Sequence, residues 1–154
     1  MRILFVCLGN ICRSPIAEGV MRHYALQRHL HWQIASAGTE SYHIGEPPHR
    51  YSQNICKAHG IDISSQRARK FVTKDFDQYD KILAMSSDVY DIITRAYPHP
   101  ALSSKLGLFL NELHPGSNAS VPDPWYGEEE GYAAVYDMIE ATCLAILDAH
   151  EQGS

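Results

Sequence analysis

Cys7 and Arg13, with five residues between them, are the pair in this sequence best suited to chemistry on an anion. A cysteine is a nucleophile only as its thiolate, and a helix N-terminus or a neighbouring guanidinium favours that form. Arginine presents a planar fork of donors that fits two oxygens of a tetrahedral oxyanion at once. Gly9 and Asn10 lie between the two, and both tolerate the left-handed backbone angles that let successive N–H groups turn inward as a cradle. Ser14 follows, with a hydroxyl able to donate to the sulfur. Far along the chain Asp123 stands between Pro122 and Pro124, which hold it in extended backbone and limit its swing. A nucleophile, an anion cradle and a carboxyl group that can move a proton are the parts of a group transfer through a covalent intermediate.

The spacing by itself is weak, because a buried cysteine at a strand end and an unrelated surface arginine would look the same. The flanks strengthen it. Ile3-Leu4-Phe5-Val6 is a short β-branched and aromatic run bounded by a Gly-Asn turn signal, which predicts a buried strand. Ser14 is placed to cap a helix, Pro15 fits the first helical position, and Glu18 falls in the first turns. The loop would then lie at the carboxyl end of a parallel strand and against a helix N-terminus, where unpaired N–H groups and the macrodipole favour an anion.

The rest of the chain supplies elements to hold this loop. Ile16, Val20, Tyr24 and Leu26 continue the first helix to about residue 29. Further strands are expected at residues 32–35, 81–85 and 106–110. Residues 50–59 read as a helix stopped by Gly60, residues 74–76 as a helical turn, and a helix capped by Ser87 runs through Val89, Ile92, Ile93 and Ala96 until Pro98 and Pro100 end it. The last helix, residues 131–150, carries Val135, Met138, Ile139, Thr142, Cys143, Ile146 and Leu147 on one face, and residues 151–154 should fray. Alternating strands and helices predict an α/β fold of three layers, α/β/α, around a mainly parallel sheet with the site at its carboxyl ends.

A chain of 154 residues fits a single domain spanning 1–154. A net charge of −5 offers no basic face for nucleic acid, so attraction for an anion must be local to the loop. The apolar run at the start is too short for a signal peptide, and no stretch reaches membrane-spanning length. Four irregularly spaced cysteines make no disulfide framework, and a reducing cytoplasm suits a catalytic thiolate. The nine histidines are scattered, and His29 and His31 lack cysteine or carboxylate partners, so no metal or other cofactor is expected.

Residues 6–15, Val-Cys-Leu-Gly-Asn-Ile-Cys-Arg-Ser-Pro, resemble the phosphate loop of the low-molecular-weight protein tyrosine phosphatases. Ala35-Ser36-Ala37-Gly38-Thr39, Ala68-Arg69, residues 80–85 and Asp123-Pro124-Trp125-Tyr126-Gly127 match the same family in the same order. The resemblance implies four strands in the order 2-1-3-4 and hydrolysis of a phosphate monoester, phosphotyrosine for preference, through a cysteinyl-phosphate. Cys7 would be the nucleophile, Arg13 with the loop residues Leu8, Gly9, Asn10, Ile11 and Cys12 would hold the phosphate, and Asp123 would act as general acid and base. Ser14 would support the sulfur, Ser36 would hold Asn10, and Tyr42, Trp125 and Tyr126 would wall the cleft. From the residues alone Ser36 is equally a strand-end turn, Tyr42 an idle loop aromatic, Asp123 a turn residue, and Trp125 and Tyr126 a lid over core. The implied partners are a phosphotyrosine-containing protein or a small aryl phosphate, with inorganic phosphate as product, and the chain is expected to act as a monomer.

Cys12 is open to two readings, a reversible disulfide with Cys7 that the resemblance implies, or a space-filler under the loop. Two departures stand out. Many members have an aspartate after the methionine, bracing the loop arginine, where this chain has Ser86, with Asp88 as a possible substitute; and members often carry two tyrosines where Trp125 and Tyr126 stand. Arsenate reductases share the loop but relay electrons through a further cysteine in the region of residues 73–89, which here has none. Relatives acting on phosphoarginine carry threonine where Ile11 stands, and the bulkier apolar group favours tyrosine.

Overall fold

Ile3, Leu4, Phe5 and Val6 are all fully buried, which requires cover on both faces of the strand they form. The computed structural model describes residues 1–124 and 127–153 and supplies that cover. Strand β1 (Arg2–Cys7) is central, paired in parallel with β2 (Gln33–Gly38) on one side and β3 (Lys81–Ala84) on the other. Strand β4 (Leu106–Leu108) joins β3, also in parallel, giving the order β2-β1-β3-β4. This is the expected order. All of these pairs run parallel, so every loop after a strand opens at the same edge of the sheet.

Alternation along β1 divides the core. Ile3, Phe5 and Cys7 face a cluster that includes Ile16 and Val20 of α1 (Arg13–Gln27), Cys56 of α2 (Arg50–Ala58) and Val135, Ile139 and Ile146 of the last helix, α6 (Gly131–Gly153). Leu4 and Val6 face Phe76 of α3 (Asp75–Gln78) and Val89 and Ile93 of α4 (Ser87–Ala96). A short α5 (Leu102–Lys105) precedes β4. Among the described residues no helix is long and apolar enough to cross a membrane.

Several expected boundaries move for physical reasons. Strand β2 runs on through Ser36, Ala37 and Gly38, because these small residues pair with Phe5, Val6 and Cys7. Strand β4 stops early, as Phe109 begins a 3-10 turn (Phe109–Glu112). Helix α6 continues past residue 150 to Gly153, its last turns tied to the body by ion pairs from Arg28 to Asp148 and Glu151 and by an edge contact of His150 on Trp32. Ser86 rather than Ser87 takes the N-cap position of helix α4, without a side-chain cap hydrogen bond. Gly60, with φ of 78°, follows the end of α2 as expected. Helix α1 starts at Arg13 with Cys12 as its N-cap, so Ser14 is inside the first turn and caps nothing. Its hydroxyl is engaged elsewhere.

Candidate active site

Cys7 ends β1 beside Gly38 of β2, and the chain turns at once through residues 8–12 into α1. The turn depends on Asn10, whose φ of 59° is in the left-handed region that asparagine tolerates better than most residues. Its side chain is locked from three sides. Asn10 Oδ1 accepts the backbone N–H of Arg69 at 3.0 Å, while Nδ2 donates to Ser14 Oγ at 2.8 Å and to Ser36 Oγ at 2.9 Å. Ser36 in turn donates to Glu18 Oε1 at 2.7 Å, and Glu18 accepts from Arg22 at 2.8 Å.

These bonds run in one direction. The Arg69 amide can only donate, which fixes the orientation of the Asn10 amide and leaves both Nδ2 protons for the two serines. A carboxylate can only accept, so the Ser36 proton goes to Glu18. Ser14 already receives a proton from Asn10, and its own is left for Cys7 Sγ, 2.9 Å away. The sulfur is thus the acceptor of that bond. The Ser14 hydroxyl therefore supports the thiol, and the helix start does without a side-chain cap.

Arg13 is 4% exposed and braced from a distant segment. Its guanidinium donates to the Val121 carbonyl at 3.0 Å and lies 3.7 Å from Asp123 Oδ2. That segment is itself docked at the end of β3, through Val121 N–H to the Met85 carbonyl at 2.8 Å and Ser87 N–H to Ser120 Oγ at 2.8 Å. Asp123, with 28% of its side chain exposed, is thereby carried to the loop arginine across more than a hundred residues of sequence.

Cys7, Leu8, Gly9, Ile11, Cys12 and Arg13 form the floor of a cleft of about 280 Å³, with Tyr42 and Asp123 also in its lining. Tyr42 is 80% exposed, a rim residue. Asn10, Ser14 and Ser36 are buried behind the floor as supports. Trp125 and Tyr126 lie outside the described residues. Sequence reasoning missed Glu40 and His43, which also line the cleft, and it missed Glu18 as the end of the proton-donating chain. A loop residue reaches a cleft only by the path of its backbone, and no local pattern marks it.

The second loop thiol has a different setting. Cys12 Sγ is 3.5 Å from the Tyr132 hydroxyl of α6, and burial pushes its pKa up to about 12. All four cysteines are free thiols. Cys56 is likewise pushed to about 12 by burial, as befits packing.

The sequence profile of the low molecular weight phosphotyrosine protein phosphatases matches residues 2–152. The chain belongs to this family. It is 37% identical to the human low molecular weight phosphotyrosine protein phosphatase over 149 residues, 95% of this chain and 93% of the human one. A Synechocystis sp. protein, provisionally named a low molecular weight protein-tyrosine-phosphatase, is 40% identical over 149 residues, covering 96% of this chain and 94% of its own. A crystal structure of a protein tyrosine phosphatase from Entamoeba histolytica superposes with a TM-score of 0.90 at 35% identity, covering 99% of this chain and 98% of that one.

The resemblance implies an aspartate bracing the loop arginine where this phosphatase has Ser86. Ser86 donates its hydroxyl to the Asp88 carboxylate, and among the described residues neither side chain reaches Arg13 by a hydrogen bond or ion pair. The Val121 carbonyl and Asp123 hold the guanidinium instead.

Proposed function

We propose that the protein hydrolyses phosphotyrosine in proteins or small aryl phosphates by way of a cysteinyl-phosphate, with Cys7 as nucleophile, Arg13 as phosphate clamp and Asp123 as general acid and base. The observation that carries this is the meeting of the Cys7 sulfur, acceptor of the Ser14 hydroxyl, with Arg13 and Asp123 in one cleft at the end of β1. The thiolate attacks phosphorus in line, an S–P bond forms, and the P–O bond to the leaving group breaks as Asp123 delivers its proton to that oxygen. Loop N–H groups and the Arg13 fork hold the equatorial oxygens as charge redistributes. Water then attacks phosphorus, the Asp123 carboxylate takes its proton, the S–P bond breaks, and inorganic phosphate leaves with the thiolate restored.

Nucleophile, proton carrier and charge stabiliser are all side chains or backbone, so the scheme needs no metal. Ile11 in the floor and Tyr42 at the rim give the cleft apolar surface suited to an aromatic leaving group. We take the protein to work as a monomer in the cytoplasm, where its thiols stay reduced. The test is turnover of an aryl phosphate beside an alkyl phosphate and phosphoarginine, all in a metal chelator. The aryl ester should be turned over fastest, with chelation making no difference. Faster release of phosphate from phosphoarginine, or loss of activity on chelation, would overturn the assignment.

A further inference from the structure

We infer that Glu40 selects substrates carrying a lysine or arginine next to the phosphorylated tyrosine, an inference that rests on the phosphatase reading above. Glu40 lines the same cleft as the proposed nucleophile and arginine, and its backbone N–H is anchored to the Leu8 carbonyl at 2.9 Å, one residue beyond Cys7. Among the described residues its carboxylate has no hydrogen bond or ion pair. A carboxylate there is a liability for a site that binds a phosphate dianion, since like charges repel over these distances.

The cleft does not offset that charge internally. Its basic residues are Arg13 and His43, and both already face a carboxylate. Arg13 is held against Asp123, and His43 Nδ1 is 2.8 Å from Glu46. The scheme above also uses Arg13 on the phosphate itself. A cation brought by the substrate is the remaining way to compensate Glu40, and a peptide lying across the rim past Tyr42 would bring a flanking side chain to it. An acidic neighbour would meet the same charge and be disfavoured, so the carboxylate acts by attraction and exclusion together.

The rim is partly solvated, so the effect should be of the size of an exposed ion pair, about two- to fivefold in kcat/KM, and should fade as salt screens it. Phosphotyrosine peptides with lysine or with glutamate on either side of the phosphotyrosine are compared at low and high salt, with a small aryl phosphate as reference. The lysine peptides should be preferred at low salt. Glu40→Gln should raise KM for the lysine peptides and lower it for the aryl phosphate, moving the two in opposite directions, and Glu40→Lys should invert the peptide preference. Equal KM changes for both substrates in Glu40→Gln, or a lysine preference that survives in Glu40→Lys, would overturn the inference. Loss of activity on every substrate in the unaltered enzyme would instead defeat the phosphatase reading beneath it.

Discussion

Asn10→Asp tests the direction of the hydrogen bonds behind Cys7. Aspartate is nearly isosteric, tolerates the φ of 59°, and keeps an oxygen to accept the Arg69 N–H. It replaces the donor facing Ser14 and Ser36 with an acceptor. Ser14 would then turn its proton toward residue 10 and away from the sulfur, losing a hydrogen bond to an ionised group, about 1.5–3 kcal/mol. A new negative charge also stands two hydrogen bonds from the sulfur. At roughly 5 Å and an effective dielectric of about 20 its repulsion of an anionic sulfur is about 3 kcal/mol. The rate of iodoacetate alkylation of Cys7 against pH reads this directly, with kcat/KM for an aryl phosphate beside it. Alkylation near neutral pH should slow by about tenfold or more, and kcat/KM for the aryl phosphate should fall with it. Thermal unfolding should show that the fold survives. An unchanged alkylation rate in a folded variant would refute the donor chain, because neither the charge nor the reversed hydroxyl would then be felt at the sulfur.

Asp123→Ala should slow turnover most for esters with poor leaving groups, which depend on a donated proton; equal slowing across leaving groups would exclude Asp123 as the acid. At neutral pH iodoacetate should modify Cys7 and spare Cys12 and Cys56, whose burial keeps them as thiols up to about pH 12, as peptide mass spectrometry would reveal. The same burial sets a stability limit. Cys12 and Cys56 ionise near their ordinary 9.0 when unfolded and near 12 when folded, so their contribution is complete below pH 9 and is lost as pH rises toward 12. Denaturant midpoints measured through that window should fall, and less so in Cys56→Ala than in the parent.

The loop and the sheet that holds it were legible in the chain itself, for local reasons. The apolar run of β1, the Gly-Asn turn and the onset of α1 are short-range signals, and with both faces of the strand apolar the sheet had to be covered twice. Cys7 at a strand end and Arg13 at a helix start follow from that. The local pattern also misled at Ser14, which has the composition of a cap and serves as a donor to sulfur. Capping is one use of a hydroxyl, and which use prevails depends on what lies 2.9 Å away.

Contacts between segments remote in sequence were decided by tertiary structure alone. Asn10 is fixed by Arg69 and Ser36, Arg13 by Val121, and Cys12 is capped by Tyr132. Asp123 reaches Arg13 because residues 120 and 121 pair with Ser87 and Met85 at the end of β3. Glu40 and His43 enter the cleft because β2 lies beside β1 and releases its loop at the same edge. Such placements depend on sheet order and on backbone hydrogen bonds that any residue can make, so they leave no imprint on side-chain pattern. Residue type and short spacing determine which group can react; only the packing of the sheet determines what stands next to it.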